Sequence, residues 1–115
     1  MFLTLVRIFP SAKELEAVRM FLMGLLEPTR VQPGCLGCTL ATESDPEALL
    51  YMETWQSMEH LLPRLRSEEY GKVLATMELS TSKPDVWIYE IANEQGLELI
   101  ERARMASTNQ GEAAP

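Results

Sequence analysis

Apolar residues along this chain change their spacing in an order that few folds can accommodate. Phe2 to Phe9 is rich in β-branched and aromatic residues and stops at Pro10, the mark of a strand. Ser11 and Glu14 have capping-box spacing, and Leu15, Val18, Leu22, Leu25 and Leu26 follow at helical intervals until Pro28, which predicts the helix end. Cys35 to Thr42 and Ala48 to Trp55 read as two strands of a hairpin joined through Glu43-Ser44-Asp45-Pro46. Ser57 is placed to cap a second helical region with Met58, Leu61, Leu62 and Leu65 on its apolar side. Pro63 predicts a kink or break there, and Ser67-Glu68-Glu69 predicts a restart carrying Tyr70, Val73, Leu74 and Met77. Asp85 to Ile91 alternates as a fourth strand.

The resulting order, β-α-β-β-α-β, is that of a ferredoxin-like α+β protomer, an antiparallel sheet with its helices on one face. No linker divides the chain, so one domain over residues 1–104 is expected, its core at 2–91 and a short C-terminal helix at about 96–104. Residues 105–115 offer too little apolar surface to bury and are expected to be disordered.

Two-sidedness of the strands adds a second constraint. Leu49, Tyr51, Glu53 and Trp55 point one way from the third strand, and Leu50, Met52 and Thr54 the other. Trp87, Tyr89 and Ile91 of the fourth strand oppose Val86 and Ile88. Both faces are largely apolar, which does not suit a sheet with one wet side, so a homodimer with its sheets stacked is expected.

Charge narrows the partners. Ten Lys and Arg stand against 17 Asp and Glu, a net charge of −7, which disfavours nucleic acid and anionic membrane surfaces. No stretch approaches the roughly 20 apolar residues of a membrane helix, and the N-terminus lacks the cationic start of a signal peptide. A cytoplasmic location is expected. Cys35 and Cys38 have CxxC spacing, but a single histidine, His60, and no second pair leave no metal set. Two small apolar side chains in a strand of a reduced protein are the simpler reading.

Several segments now combine: Thr29-Arg30-Val31-Gln32-Pro33-Gly34-Cys35-Leu36-Gly37-Cys38, Ser44-Asp45-Pro46, Glu53-Thr54-Trp55-Gln56-Ser57 and Leu65-Arg66-Ser67-Glu68-Glu69-Tyr70. In this order and spacing, over roughly Phe2 to Ile91, the chain resembles the antibiotic biosynthesis monooxygenase (ABM) family, in particular its quinol-monooxygenase-like members. The resemblance implies a dimeric α+β barrel. It also implies a monooxygenase that oxidises a quinol- or anthrone-like aromatic substrate with O₂ and without a cofactor. Trp55 matches the tryptophan that lines the substrate cavity in enzymatic members, and Glu53 the acidic position two residues before it. Many members carry a histidine nine residues after that tryptophan, where this chain has Arg64. The haem-degrading branch has an axial histidine near this place and an asparagine in the first strand. Here Leu65 and an asparagine-free first strand disfavour haem.

His60 and Arg64 are thus the candidate catalytic residues, one helical turn apart. His60 can act as base toward a phenolic proton, or stand exposed beside Glu59. Arg64 can hold an anionic phenolate, or form a surface pair with Glu68. Trp55, Tyr51 and Tyr70 are the candidate substrate-binding residues, able to wall an aromatic pocket or pack with their polar tips at its rim. No metal or cofactor is expected. A non-catalytic dimeric sensor or small-molecule-binding protein of the same fold is the alternative reading.

Overall fold

The structure, a computed structural model, describes residues 1–109. Strands β1 (Phe2–Ile8), β2 (Cys35–Ser44), β3 (Glu47–Trp55) and β4 (Asp85–Glu90) form one antiparallel sheet in the order β2-β3-β1-β4. Helices α1 (Leu15–Arg30), α2 (Met58–Arg66) and α3 (Glu68–Met77) connect them, and α4 (Leu97–Asn109) follows β4. This is the α+β ferredoxin-like arrangement that the spacing predicts. Its crossover places β1 in the middle of the sheet, paired with β3 along its whole length and with β4 on the other side.

Register decides which residues meet the helices. Val6 pairs with Tyr51, Thr4 with Glu53 and Ile8 with Leu49, and all six are buried. Val18 and Leu22 from α1 and Tyr70 and Val73 from α3 close over them as a continuous core. A β-bulge between Cys35 and Gly37 lets Cys35 and Cys38, three residues apart, sit opposite Trp55 and Glu53, which are two apart. Both cysteines are free thiols, and Cys38 is fully enclosed.

Local departures from the predicted pattern have identifiable causes. Ser11 Oγ accepts the Glu14 amide at 3.2 Å, but α1 begins only at Leu15, after a turn. Pro28 does not end α1, which runs on to Arg30. The last turn is held from outside: Thr29 is buried and bonded to Arg64, and Arg30 Nε donates to the Cys38 carbonyl at 3.0 Å. Pro63 likewise lies within α2, and the break falls at Ser67 instead. Ser67 adopts an extended backbone and its Oγ accepts the Tyr70 amide at 3.1 Å, so α3 restarts on a side-chain cap as expected.

Helix α4 continues five residues beyond Arg104, into the segment expected to be unstructured. Met105 and Ala106 are good helix formers, so propensity extends the helix without burial. Residues 110–115, the rest of that expected disordered tail, lie outside those described. Every residue from Leu97 to Ala106 is exposed. None of the helices among the described residues is long and apolar enough to cross a membrane.

Candidate functional site

A carboxylate on the inward face of a central strand is costly unless a cation meets it. Glu53 is in that position on β3, fully buried, and the cation is Arg64 from α2. Arg64 Nη2 reaches Glu53 Oε2 at 2.6 Å and Nε reaches Oε1 at 3.1 Å, a two-pronged pair. The same carboxylate accepts the Tyr51 hydroxyl at 2.7 Å and the Trp55 indole N–H at 2.9 Å. Alternation along β3 aligns all three, because residues 51, 53 and 55 share one face. The Cys38 thiol donates to the Tyr51 hydroxyl at 3.3 Å, and Arg64 Nη2 also donates to Thr29 Oγ1 at 3.1 Å. The guanidinium carbon lies 5.9 Å from the Trp55 ring centre and 5.5 Å from that of Tyr70.

Enclosure moves the proton affinities of these groups. Burial, reinforced by the nearby Glu53 charge and the bonds to Cys38 and Glu53, pushes the Tyr51 phenol far above its ordinary range. Burial, with Glu53 again adding to it, raises Tyr70 to about 12. Burial also pushes the Cys35 and Cys38 thiols up. Desolvation works against the charge on Arg64, but its hydrogen bonds and attraction to Glu53 outweigh that, and its pKa is raised.

Above this network lies a cavity of about 250 Å³ lined by Trp55, His60, Arg64, Pro33, Pro63 and Gln32 among others, with Glu59, Ser67 and Glu69 completing it. Its position follows from the chain ends of three elements: the last residue of β3, the first turns of α2 and the loop after α1. Gly34 in that loop has φ of +82°, and a Cβ there would meet the His60 ring at 2.2 Å, so only glycine lets the loop close against the histidine. His60 Nδ1 lies 2.8 Å from Ser57 Oγ. Ser57 therefore holds the histidine ring and makes no cap bond of its own.

The structure brings Trp55, His60 and Arg64 onto one cavity wall. Arg64 forms no pair with Glu68; it is buried, because Glu53 draws it inward. His60 is half-buried against Gly34. Tyr51 and Tyr70 stand behind the wall, Tyr51 bonded to Glu53 and Tyr70 beneath the guanidinium, and neither is among the lining residues. Spacing alone did not single out Glu53 and Thr29 as the partners of Arg64. The signal for Glu53 was visible, a charged residue in phase with Leu49, Tyr51 and Trp55. Thr29 carried none, since it sits one residue beyond a proline expected to end the helix. Among the described residues, no three His, Cys, Asp or Glu side chains are grouped to hold a metal ion.

A four-stranded antiparallel sheet covered by helices on one face, with a polar network under a small, partly open cavity at the end of β3, defines a ferredoxin-like α+β protein with one candidate site at that strand end. The chain matches the profile of the antibiotic biosynthesis monooxygenase family over residues 1–76 and belongs to that family. Solved structures share the fold. Rv0793 from Mycobacterium tuberculosis superposes with a TM-score of 0.73 at 24% identity, over 83% of this chain and 98% of its own. A family protein from Deinococcus radiodurans gives 0.73 at 20% identity, covering 84% and 97%. Another from Nitrosomonas europaea gives 0.70 at 16% identity, covering 81% and 100%. No match emerges among curated protein sequences.

Proposed function

We propose that this protein is a cofactor-independent monooxygenase acting on a small aromatic substrate of the quinol or anthrone kind. The observation that carries the reading is the convergence of Trp55, His60 and Arg64 on one cavity, with Arg64 locked from behind by Glu53. An apolar cavity of roughly 150 Å³ holds one benzene ring, so 250 Å³ takes in a quinol or the reacting rings of an anthrone, whose remaining ring extends through the cavity's open side. Glu53 lies behind Arg64 and away from the cavity lining, so the guanidinium is the pole of the pair that faces the ligand.

His60 takes the proton of the substrate hydroxyl, steadied at Nδ1 by Ser57. Arg64 stabilises the resulting anion at fixed geometry, with little reorganisation because Glu53 and Thr29 already hold it. The anion passes one electron to O₂, and the radical pair joins as a C–O bond. The peroxide takes a proton and, at an anthrone methylene, loses water to leave a carbonyl. One O₂ and one CH₂ thus become one C=O and one H₂O, the substrate supplying all the electrons. Trp55, Pro33 and Pro63 give the ring its apolar contacts.

Two copies form the working unit in this proposal. Leu3, Leu5, Leu50, Met52, Trp87 and Tyr89 share the helix-free face of the sheet, which one copy leaves uncovered. Two free thiols fit a reducing cytoplasm. A non-catalytic ligand-binding dimer is the second reading, and the commitment of Arg64 to Glu53 and Thr29 favours it, since those bonds partly satisfy the cation.

Oxygen uptake separates the two. Metal-free protein is expected to accelerate O₂ consumption across a panel of hydroquinones and anthrones. His60→Ala and Arg64→Met are each expected to lower that rate by about 10²-fold or more. No acceleration by the unaltered protein, together with retained binding of the same compounds, establishes the binding reading.

A further inference from the structure

Helix α4 is the part of the molecule that the proposed site does not use, and its physical state in one chain is unfavourable. By helical spacing, Leu99, Ile100, Ala103 and Ala106 lie along one side and Glu98, Glu101 and Arg102 along the other. That apolar side has no cover: Leu99 is 44% and Ile100 57% exposed. The radius of gyration of 18.1 Å, against about 13 Å for a compact domain of some 100 residues, reflects a helix standing off the body. The compared structures span 81–84% of this chain while being covered almost completely themselves. Between 16% and 19% of this chain therefore has no counterpart in them, about the share that residues 97–115 make up. We propose that α4 is an arm that lays this apolar side into the groove between α1 and β2 of a second copy of the chain.

The inference rests on the two-copy reading above and locates the arm within it. That groove, about 290 Å³, is lined by Met23, Leu26, Leu40, Ala41, Thr42 and Arg19. Met20 and Met23 beside it are exposed, and methionines adapt to a helix laid against them. Its place at a sheet edge matters. Stacking two sheets about a two-fold axis along the strands sets β4 of one copy, an edge strand, over β2 of the other. Ile91 is still tied to the sheet through its amide and the Met1 carbonyl, leaving Ala92 to Gly96 as connector. Five residues span at most about 17 Å, and stacked sheets lie about 10 Å apart. With that axis, the arm reaches the α1–β2 edge of its neighbour. The groove between α1 and α3, lined by Ala17, Phe21, Ala75 and Leu79 among others, belongs to the helix layer and not to the sheet edge. Helix α4, about 20 Å long, then runs along the edge groove.

The test uses the full-length chain with p-benzoylphenylalanine in place of Ile100, mixed from ¹⁴N- and ¹⁵N-labelled preparations, irradiated and analysed by peptide mass spectrometry. Mixed-isotope links from position 100 to the peptides holding Met20, Met23 or Leu40 are expected. In parallel, Ile100→Glu and Met23→Glu are each expected to weaken self-association about tenfold, and Ile100→Glu with Met23→Lys to recover part of that loss. Both positions are exposed, so the body stays folded. Links confined to a single chain, or directed to the α1–α3 groove, overturn the arm while leaving the dimer standing. Unchanged association of Ile100→Glu does the same. An unaltered protein that scatters as a 13.0 kDa monomer overturns the two-copy reading itself.

Discussion

Glu53 organises the interior at the scale of single residues. Its two oxygens receive Arg64, Tyr51 and Trp55, so one carboxylate orients three of the residues on or behind the cavity wall. Breaking a buried pair from one side strands the other charge, at a cost of roughly 3–5 kcal/mol. Glu53→Ala is therefore expected to lower unfolding free energy by that amount in urea titration. Glu53→Gln with Arg64→Met is expected to cost less than Glu53→Ala alone, because no charge is left uncompensated. Equal losses in the two proteins would show that packing, not charge, dominates. Alkaline pH probes the same network. Tyr51, Tyr70 and Cys38 keep their protons in the folded state at pH values where the unfolded chain releases them. Their contribution is complete below about pH 8.5, where free thiols begin to ionise. It is lost as pH rises through the folded-state values, about 12 for Tyr70. Unfolding free energy is expected to fall between pH 8 and 11, with a shallower slope in Tyr51→Phe. An unchanged slope in that variant removes Tyr51 from the explanation.

Element ends place the site. Strand β3 delivers Trp55 at its last residue, α2 delivers His60 and Arg64 one turn apart, and the loop after α1 closes over them through Gly34. Gly34→Ala combines a left-handed backbone with a Cβ 2.2 Å from the His60 ring, so either the loop or the histidine must move. A loss of roughly 2 kcal/mol in thermal unfolding is expected, with ligand binding or turnover impaired further by the displaced His60. Normal activity in a stable Gly34→Ala protein would detach the loop from the site. The prolines teach the complementary lesson. Pro28 and Pro63 carry strong local signals to stop a helix, yet both lie inside helices. In each case the residue directly after the proline is one whose side chain is buried and bonded in the interior, Thr29 in one and Arg64 in the other. Tertiary contacts at these two positions outweigh a lost backbone hydrogen bond.

At the scale of the whole molecule, the proposed pairing of two copies rests on the uncovered sheet face. The sheet carries half-buried Leu3, Leu5, Leu50, Met52 and Trp87 on its helix-free face, with Arg7 crossing it between Glu43 and Asp85 and lying 5.2 Å from the Trp87 ring centre. Light scattering is expected to give twice 13.0 kDa, and Leu5→Lys to shift the protein toward monomer. A Leu5→Lys protein that remains dimeric would move the contact to another surface.

The sequence by itself determined the order of elements, which residues of a strand share a face, the restart of a helix at Ser67 and the two-sided apolar sheet. Each of these is written in local spacing, and spacing sets which way side chains point. It also put His60 and Arg64 one helical turn apart, a short-range fact, while Trp55 entered through the family resemblance. Only the tertiary structure decided that Arg64 faces Glu53 rather than Glu68, that Thr29 completes its bonds, and that Tyr51 and Tyr70 stand behind the cavity wall. Those outcomes depend on residues 11 to 35 positions apart being enclosed together. Inside that enclosure the energy of an unpaired charge overrides the choice that local sequence would make.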